Sequence, residues 1–431
     1  MSIDVNDVLN AGTEVGDGKV GQAEDDAANL DGYGATKVNP TEMREWIPAE
    51  GLKEYWYPAV ADRKVRGKPV YLKLLGTELV LFRGSDGKVA ALTNVCPHRG
   101  GFLASGSCNF QGTVSCPYHG WTFDKEGECV AVLGEGPTSR LAGMRSARAR
   151  MYPTQTLKGM VFVWMGDKQP ADIREDVPEH FFNDDIFVQN SVAVWKCNWR
   201  PAVENIFDAH VYYVHRNSLR VLLFPTAALL GLVKMGPRRP HPHVVNERGL
   251  VYRNEERPTR QAQAEKTRYQ DVYPALGGVK WPTDGARYYW SRLMTFAVKF
   301  WPKHKKPMIQ ELEWNGAHLP ATFQVDYFGY LFTRITVPID KDTSRIFYFH
   351  AKRRGSWLQK LWDVLYFKSF HNWYMNYNFS GQDGFVVERQ YYDRPEKLSA
   401  TDVFPLAMRR LIYEHGRGMD EIRAPGVKRG N

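Results

Sequence analysis

The stretch Cys96-Pro97-His98-Arg99-Gly100, and after it Cys116-Pro117-Tyr118-His119-Gly120-Trp121, decides how the first part of the chain is read. Seventeen residues separate His98 from Cys116. Two thiolates and two imidazoles suit two kinds of metal. One is structural zinc in a tetrahedral Cys₂His₂ site. The other is a [2Fe–2S] cluster, with two cysteines on one iron and two histidines on the other. A zinc finger of the common kind groups its cysteines together and its histidines together on a helix. Here each loop carries one of each, as Cys-x-His and Cys-x-x-His. Proline and glycine beside the ligands let backbone N–H groups turn toward sulfur.

Working outward, the flanks read as β. Val70, Leu72 and Leu74 alternate with Tyr71, Lys73 and Leu75. Glu78 to Phe82, the turn Ser85-Asp86-Gly87 and Val89 to Leu92 read as a hairpin. The turn Asp124 to Gly127 precedes Cys129 to Val132, and Gly159 to Trp164 reads as a closing strand. Two Cys-plus-His loops inside a small β domain form the pattern of the Rieske fold. That pattern assigns Cys96 and Cys116 to the inner iron and His98 and His119 to the outer one. Tyr118 is placed to donate a hydrogen bond near a cluster sulfur or to pack. Cys108, Cys129 and Cys197 read as small buried hydrophobes.

The chain has 431 residues, 43% hydrophobic, 13% aromatic and 24% charged, which excludes wholesale disorder. Five cysteines are too few for a disulfide scaffold and point to a reduced, cytoplasmic protein. The first 32 residues hold eight acids and one base, Lys19. They read as a solvated arm rather than an apolar signal region. The net charge of +9 therefore becomes +16 without that arm. A basic body attracts acidic partners, but no nucleic-acid motif accompanies it, so nucleic acid is not an expected partner. The longest uncharged apolar run is Val221 to Val233, too short for a transmembrane segment.

A second metal constellation follows. Residues 199–217 read as a helix capped by Asn198, with Pro201 in its first turn. His210 and His215 lie near its far end. On a straight helix, five residues turn the two rings about 140° apart, so they share a metal only where the helix unwinds, bulges or ends. Residues 356–379 read as an aromatic-rich helix, and Gln382-Asp383 and Glu388 follow it. Two His and one carboxylate on one face make the triad of non-haem Fe(II) oxygenases, which leaves positions open for O₂. Asp383 is the expected third ligand and Glu388 the competitor. Phe323 to Val337 and Ser344 to His350 read as strands of an antiparallel sheet.

Together these motifs (Cys-x-His, Cys-x-x-His, Glu204-Asn205-x-x-Asp208, His210-x₄-His215 and Gln382-Asp383) resemble the catalytic α subunit of Rieske non-haem iron aromatic-ring-hydroxylating oxygenases over about residues 45 to 400. The resemblance implies an α+β fold. An all-β Rieske domain would occupy residues 46–166, after an acidic arm at 1–45. A helix-grip-like catalytic domain of antiparallel sheet and helices would occupy 167–431. It implies a [2Fe–2S] cluster, a mononuclear non-haem Fe(II) and O₂ as co-substrate. It also implies electrons from a ferredoxin or an NAD(P)H-dependent reductase, and oxygen insertion into a hydrophobic or aromatic substrate. Hydroxylation, cis-dihydroxylation and oxidative demethylation all share these sites. The assembly implied is a head-to-tail homotrimer, in which Asp208 bridges the two centres across a subunit boundary; some members add a β subunit. The spacing leans toward the α₃ group that includes carbazole and ketosteroid oxygenases. One departure stands out: only Ala209 separates Asp208 from His210, where the family has two residues, so Glu204 and Asn205 remain substitutes for the bridge. A Rieske electron-transfer protein without oxygenase chemistry would need the first constellation alone.

Overall fold

The computed structural model describes residues 40–206, 214–215, 232–234, 241–253, 272–274, 316–327, 330–398 and 402–423. A short helix α1 (Pro40–Trp46) leads into ten strands: β1 (Trp56–Ala61), β2 (Val70–Leu74), β3 (Thr77–Arg83), β4 (Val89–Thr93), β5 (Val114–Ser115), β6 (Trp121–Phe123), β7 (Cys129–Val132), β8 (Met151–Tyr152), β9 (Thr154–Leu157) and β10 (Met160–Trp164). They form three antiparallel sheets, ordered β1-β10-β9, β2-β3-β4-β8 and β5-β6-β7. The expected hairpin is β3–β4, paired from Leu79↔Thr93 to Arg83↔Val89.

Strand β3 shows why its sequence is apolar without alternation. Leu79 and Leu81 face one core, with Tyr57, Leu74 and Trp164. Val80 and Phe82 face another, with Cys96, Cys116 and Trp121. A strand buried on both faces has no polar side to show. The second core sits directly beneath the Cys-plus-His loops, so their sulfurs are packed from below by apolar side chains.

Beyond residue 167 come β11 (Ile186–Trp195), α2 (Trp199–Glu204), β12 (Leu232–Lys234), β13 (His241–Asn246), β14 (Gly249–Arg253), β15 (Val272–Pro274), β16 (Gly316–His318), β17 (Thr322–Tyr327), β18 (Tyr330–Asp340) and β19 (Thr343–Arg353). Among the described residues seven of these form one antiparallel sheet, ordered β11-β19-β18-β17-β16-β14-β13. The turn between β18 and β19 closes on Asp340, whose carboxylate accepts the Asp342 N–H at 3.1 Å. Strand β19 repeats the logic of β3. Phe347, Phe349 and Ala351 join the large core shared with β1 and β10. Ile346, Tyr348 and His350 point the other way, toward a long helical segment. The first apolar core is thus continuous between the early strands and this sheet. Two backbone bonds stitch the same seam, Leu75 N–H to Pro338 O at 3.0 Å and Gly76 N–H to Ile339 O at 2.9 Å.

That helical segment begins as α3 (Trp357–Tyr366), widens into π-wound turns at Phe367–His371 and Trp373–Phe379, and ends as α4 (Ser380–Val387). Helices α5 (Val403–His415) and α6 (Met419–Arg423) close the described chain. Two expectations change here. The helix over 356–379 continues to residue 387 and is π-wound in its middle. The helix expected over 199–217 closes at Asn205. Ile206 N–H bonds back only to Val203 O, and the freed Ala202 carbonyl accepts from the buried Arg334 guanidinium at 2.8 Å. Val214 is helical again just before His215.

Candidate metal centres

The two Cys-plus-His loops share one backbone frame. In each, the cysteine N–H donates to the carbonyl five residues on: Cys96 to Gly101 at 2.8 Å, and Cys116 to Trp121 at 2.7 Å. In each, the glycine four residues on donates back to the cysteine carbonyl: Gly100 to Cys96 at 2.9 Å, and Gly120 to Cys116 at 3.1 Å. Both glycines sit at positive φ, +72° and +68°, where a side chain would be strained. Two copies of one turn thus face each other. Only the histidine offset differs, two residues from the cysteine in one loop and three in the other.

Cys96 and Cys116 are buried, His98 is exposed and His119 half-buried. The imidazoles approach edge to face with ring centres 4.5 Å apart, and His98 stacks on Trp121 at 4.9 Å. The His98 backbone N–H bonds to the Cys96 sulfur. A Cβ at Gly101 would lie 2.9 Å from Cys116 Sγ, so the room beside that sulfur exists because the residue is glycine. Burial pushes the Cys96 thiol up to about 11; a thiolate there needs a cation beside it. Thiols inside, imidazoles outside and a backbone N–H on the Cys96 sulfur fit the donor set of a two-iron cluster.

Tyr118 lays its ring against His119 at 3.8 Å, with the Arg99 guanidinium over its face. All five cysteines are free thiols. Cys129 and Cys197 are buried, with thiols pushed up by that burial, to about 12 for Cys197.

The second constellation is held by α4. His215 is 1% exposed, and its ring stacks on Phe379 at 3.8 Å. Its Nδ1 lies 3.0 Å from Gln382 Oε1, and its Nε2 lies 3.0 Å from Asp383 Oδ1. One imidazole nitrogen is oriented by an amide and the other faces a carboxylate oxygen, the nitrogen and oxygen donors of a two-His-one-carboxylate metal site. The residues present therefore fit a metal. His210 and Asp208 lie outside the described residues. So do the basic clusters Lys303 to Lys306 and Arg238-Arg239, and most of the run Val221 to Val233.

Glu388 is directed elsewhere: its carboxylate accepts the Lys196 N–H at 2.9 Å. Glu204 has both oxygens engaged, by Arg409 Nε and Nη2 at 2.8 Å each and by the Tyr392 hydroxyl at 3.0 Å. Asn205 forms the C-terminal cap of α2.

One arrangement escaped the sequence reading. The π-wound turns are pinned to the sheet by buried histidines. Asn376 Nδ2 donates to Ser191 Oγ at 2.7 Å and Asn372 Oδ1 at 2.9 Å, which leaves its Oδ1 as acceptor. It accepts His350 Nε2–H at 3.2 Å, and His350 Nδ1 in turn accepts from His371 Nε2–H at 3.2 Å. Further along, the Tyr348 and Ser380 hydroxyls bond at 2.8 Å. This ladder fixes the rotation at which Gln382 and Asp383 emerge. Its only trace in sequence is a row of polar residues in an otherwise aromatic helix.

Comparison with known proteins places the chain in a family. A family model for the Rieske [2Fe–2S] domain matches residues 55–142, and one for the homotrimeric ring hydroxylases matches residues 164–420. The terminal oxygenase component of carbazole 1,9a-dioxygenase from Metapseudomonas resinovorans is 35% identical over 211 residues, which is 48% of this chain and 54% of that one. A probable 3-ketosteroid-9-alpha-monooxygenase oxygenase component from Rhodococcus rhodochrous is 38% identical over 157 residues, 35% of this chain and 37% of that one. The matches thus span about half or less of those relatives. The solved terminal oxygenase of carbazole 1,9a-dioxygenase from Novosphingobium sp. KA1 superposes with a TM-score of 0.63 at 25% identity, covering 93% of this chain and 99% of that one. With the ring-hydroxylase model taking in more than half of its 431 residues, the chain belongs to the homotrimeric ring hydroxylase family and carries a Rieske [2Fe–2S] domain ahead of the catalytic fold.

Proposed function

We propose that this chain is the terminal oxygenase of a Rieske oxygenase system. It would take electrons from a ferredoxin or an NAD(P)H-dependent reductase and insert oxygen from O₂ into a hydrophobic, aromatic substrate. The observation that carries the proposal is His215, with one nitrogen fixed by Gln382 and the other facing Asp383 across 3.0 Å. An electron carrier has no use for that second pair. When bound, the cluster supplies one-electron storage and the mononuclear iron supplies O₂ activation.

The chain's own residues do the rest. Cys96, Cys116, His98 and His119 hold the cluster, thiolates inward and imidazoles at the surface, where a donor can reach them. His215 and Asp383, with His210, hold the mononuclear iron. Gln382 fixes the His215 tautomer so that Nε2 is the ligating atom. Phe379 stacks on the His215 ring and covers that face from water. Asp208 is proposed as the bridge between a cluster histidine of one subunit and an iron histidine of the next, in a head-to-tail trimer. Glu204, already engaged by Arg409, is the weaker substitute. The division into an arm at 1–45, a Rieske domain at 46–166 and a catalytic domain at 167–431 is kept as the working one. A cytoplasmic location agrees with five free thiols; among the described residues no helix is long and apolar enough to cross a membrane.

The test is turnover under heavy-isotope O₂, with a chemically reduced surrogate ferredoxin and a panel of aromatic substrates. The reading expects label in an organic product. Repeated oxidation of the reduced cluster with no labelled product from any member would favour the electron carrier. Hydroxylation, dihydroxylation and demethylation separate by product mass.

A further inference from the structure

Gly384 is next in sequence to Asp383 and is buried in α4. A Cβ there would lie 2.8 Å from both Nε1 and Cε2 of the Trp195 indole. The α4 backbone therefore rests directly on that ring, with no side chain between. One turn later, Glu388 accepts the Lys196 N–H at 2.9 Å. Residues 384 and 388 share a face of the helix, so the end of β11 fixes both the height and the rotation of α4. Asp383 projects about 100° from that face and reaches to within 3.0 Å of His215 Nε2.

The indole is itself held. The Arg334 guanidinium lies over its ring, 4.5 Å from the centre, and donates from Nη2 to the Ala202 carbonyl of α2 at 2.8 Å. A planar guanidinium can stack and donate at once, which a lysine ammonium cannot. Trp195 and Arg334 are each 4% exposed, and Cys197, Ile346, Tyr348 and Val387 belong to the same buried cluster as the ring. Helix α2 leads into the chain that carries His210 and His215, and α4 carries Gln382 and Asp383. Ala202, Arg334, Trp195 and Gly384 thus make one continuous contact between the two segments that bear the proposed ligands. We propose, on the reading of His215 and Asp383 as iron ligands, that Trp195, braced by Arg334, is a positioning residue for the mononuclear iron. It sets the separation of α2 and α4, and with it the placing of Asp383 against His215. A methyl added at Gly384 would have to move from 2.8 Å to an ordinary contact of about 3.5 Å. That displacement of about 0.7 Å exceeds the ~0.2 Å within which metal–ligand distances are held.

Anaerobic chelator competition for Fe(II), on the full-length protein with its cluster in place, tests this. Gly384→Ala should bind mononuclear iron about 10–100-fold more weakly, with the cluster spectrum and the oligomer of wild type. Trp195→Phe brings a smaller ring and makes room for the methyl. The double variant should therefore bind iron more tightly than Gly384→Ala, although Trp195→Phe alone binds it more weakly than wild type. Residues in contact depart from additivity in this way; a ring that only fills the core gives no such rescue. Wild-type iron affinity in Gly384→Ala, or no recovery in the double variant, would overturn the proposal. So would loss of the cluster or the oligomer along with the iron, by making the stack a requirement of the whole fold. Asp383→Ala, measured beside them, separates the positioning role from the ligand assignment beneath it. Iron lost from Asp383→Ala but held normally by Gly384→Ala removes the positioning role alone. Iron held normally by Asp383→Ala removes the site and the role together.

Discussion

The cluster loops and the iron site differ in what holds them. The four proposed cluster ligands lie in one stretch, Cys96 to His119, on two turns built from the same backbone bonds. His215 and Gln382 are 167 positions apart and meet because a π-wound helix is pinned to β19 by hydrogen bonds between buried side chains. The first site is specified by local backbone geometry and needs little beyond its own loops and the core beneath. The second is specified by tertiary packing, so changes far from the metal reach it. Perturbing one site should therefore leave the other readable.

The largest effect expected is at the cluster. Cys116→Ser removes one of the two sulfurs proposed to hold the cluster, and the visible spectrum and turnover should be lost entirely while the mononuclear iron stays bound; metal analysis with absorbance checks both. Loss of iron from both sites would show that the regions are not independent.

Next come residues that orient a ligand without being one. Gln382→Leu keeps the size but removes the acceptor that fixes His215 Nδ1–H. Iron affinity at that site should fall about 10–100-fold with the cluster spectrum unchanged, measured by chelator competition. Asp208→Asn should keep both metals and the trimer yet slow single-turnover oxidation of the reduced cluster by about 10–100-fold. Glu204→Gln should leave that rate near wild type and instead lower stability, because its carboxylate holds the buried Arg409. A slow Glu204→Gln beside a normal Asp208→Asn would exchange the two roles.

Legibility in the sequence followed the same divide. The two turns at Cys-x-His and Cys-x-x-His could be read because every proposed ligand is a neighbour of the turn that presents it. The β3–β4 hairpin was readable from two apolar runs flanking an Asp-Gly turn. The early end of α2 was not, because it depends on Arg334, more than 130 positions away, competing for the Ala202 carbonyl. Nor was the engagement of Glu204 by Arg409, a partner 205 positions distant. The π winding was hidden for a related reason: it is set by side-chain bonds to β11 and β19, and no helix periodicity reports it. Asp383 could be proposed as a ligand only through its company, the preceding Gln382 and the two upstream histidines.

The smallest expected effect is on stability in acid. Burial pushes His180 down to about 3 and His350 down to about 4 from an ordinary 6.5. The unfolded chain takes up those protons below about pH 6.5 while the folded one does not. Stability is therefore full above that pH and declines as pH falls toward about 4. The urea midpoint should drop between neutral pH and about pH 5, and His350→Gln should flatten part of the decline. An unchanged midpoint would mean these histidines are not neutral in the fold.

The most direct test of two independent metal centres in one chain is the metal content of Asp383→Ala beside wild type. Wild type should carry about three irons and two acid-labile sulfides per chain. The variant should carry about two irons, with both sulfides, an unchanged cluster spectrum and no turnover. Full iron and activity in Asp383→Ala would contradict the account and hand the ligand role to another carboxylate.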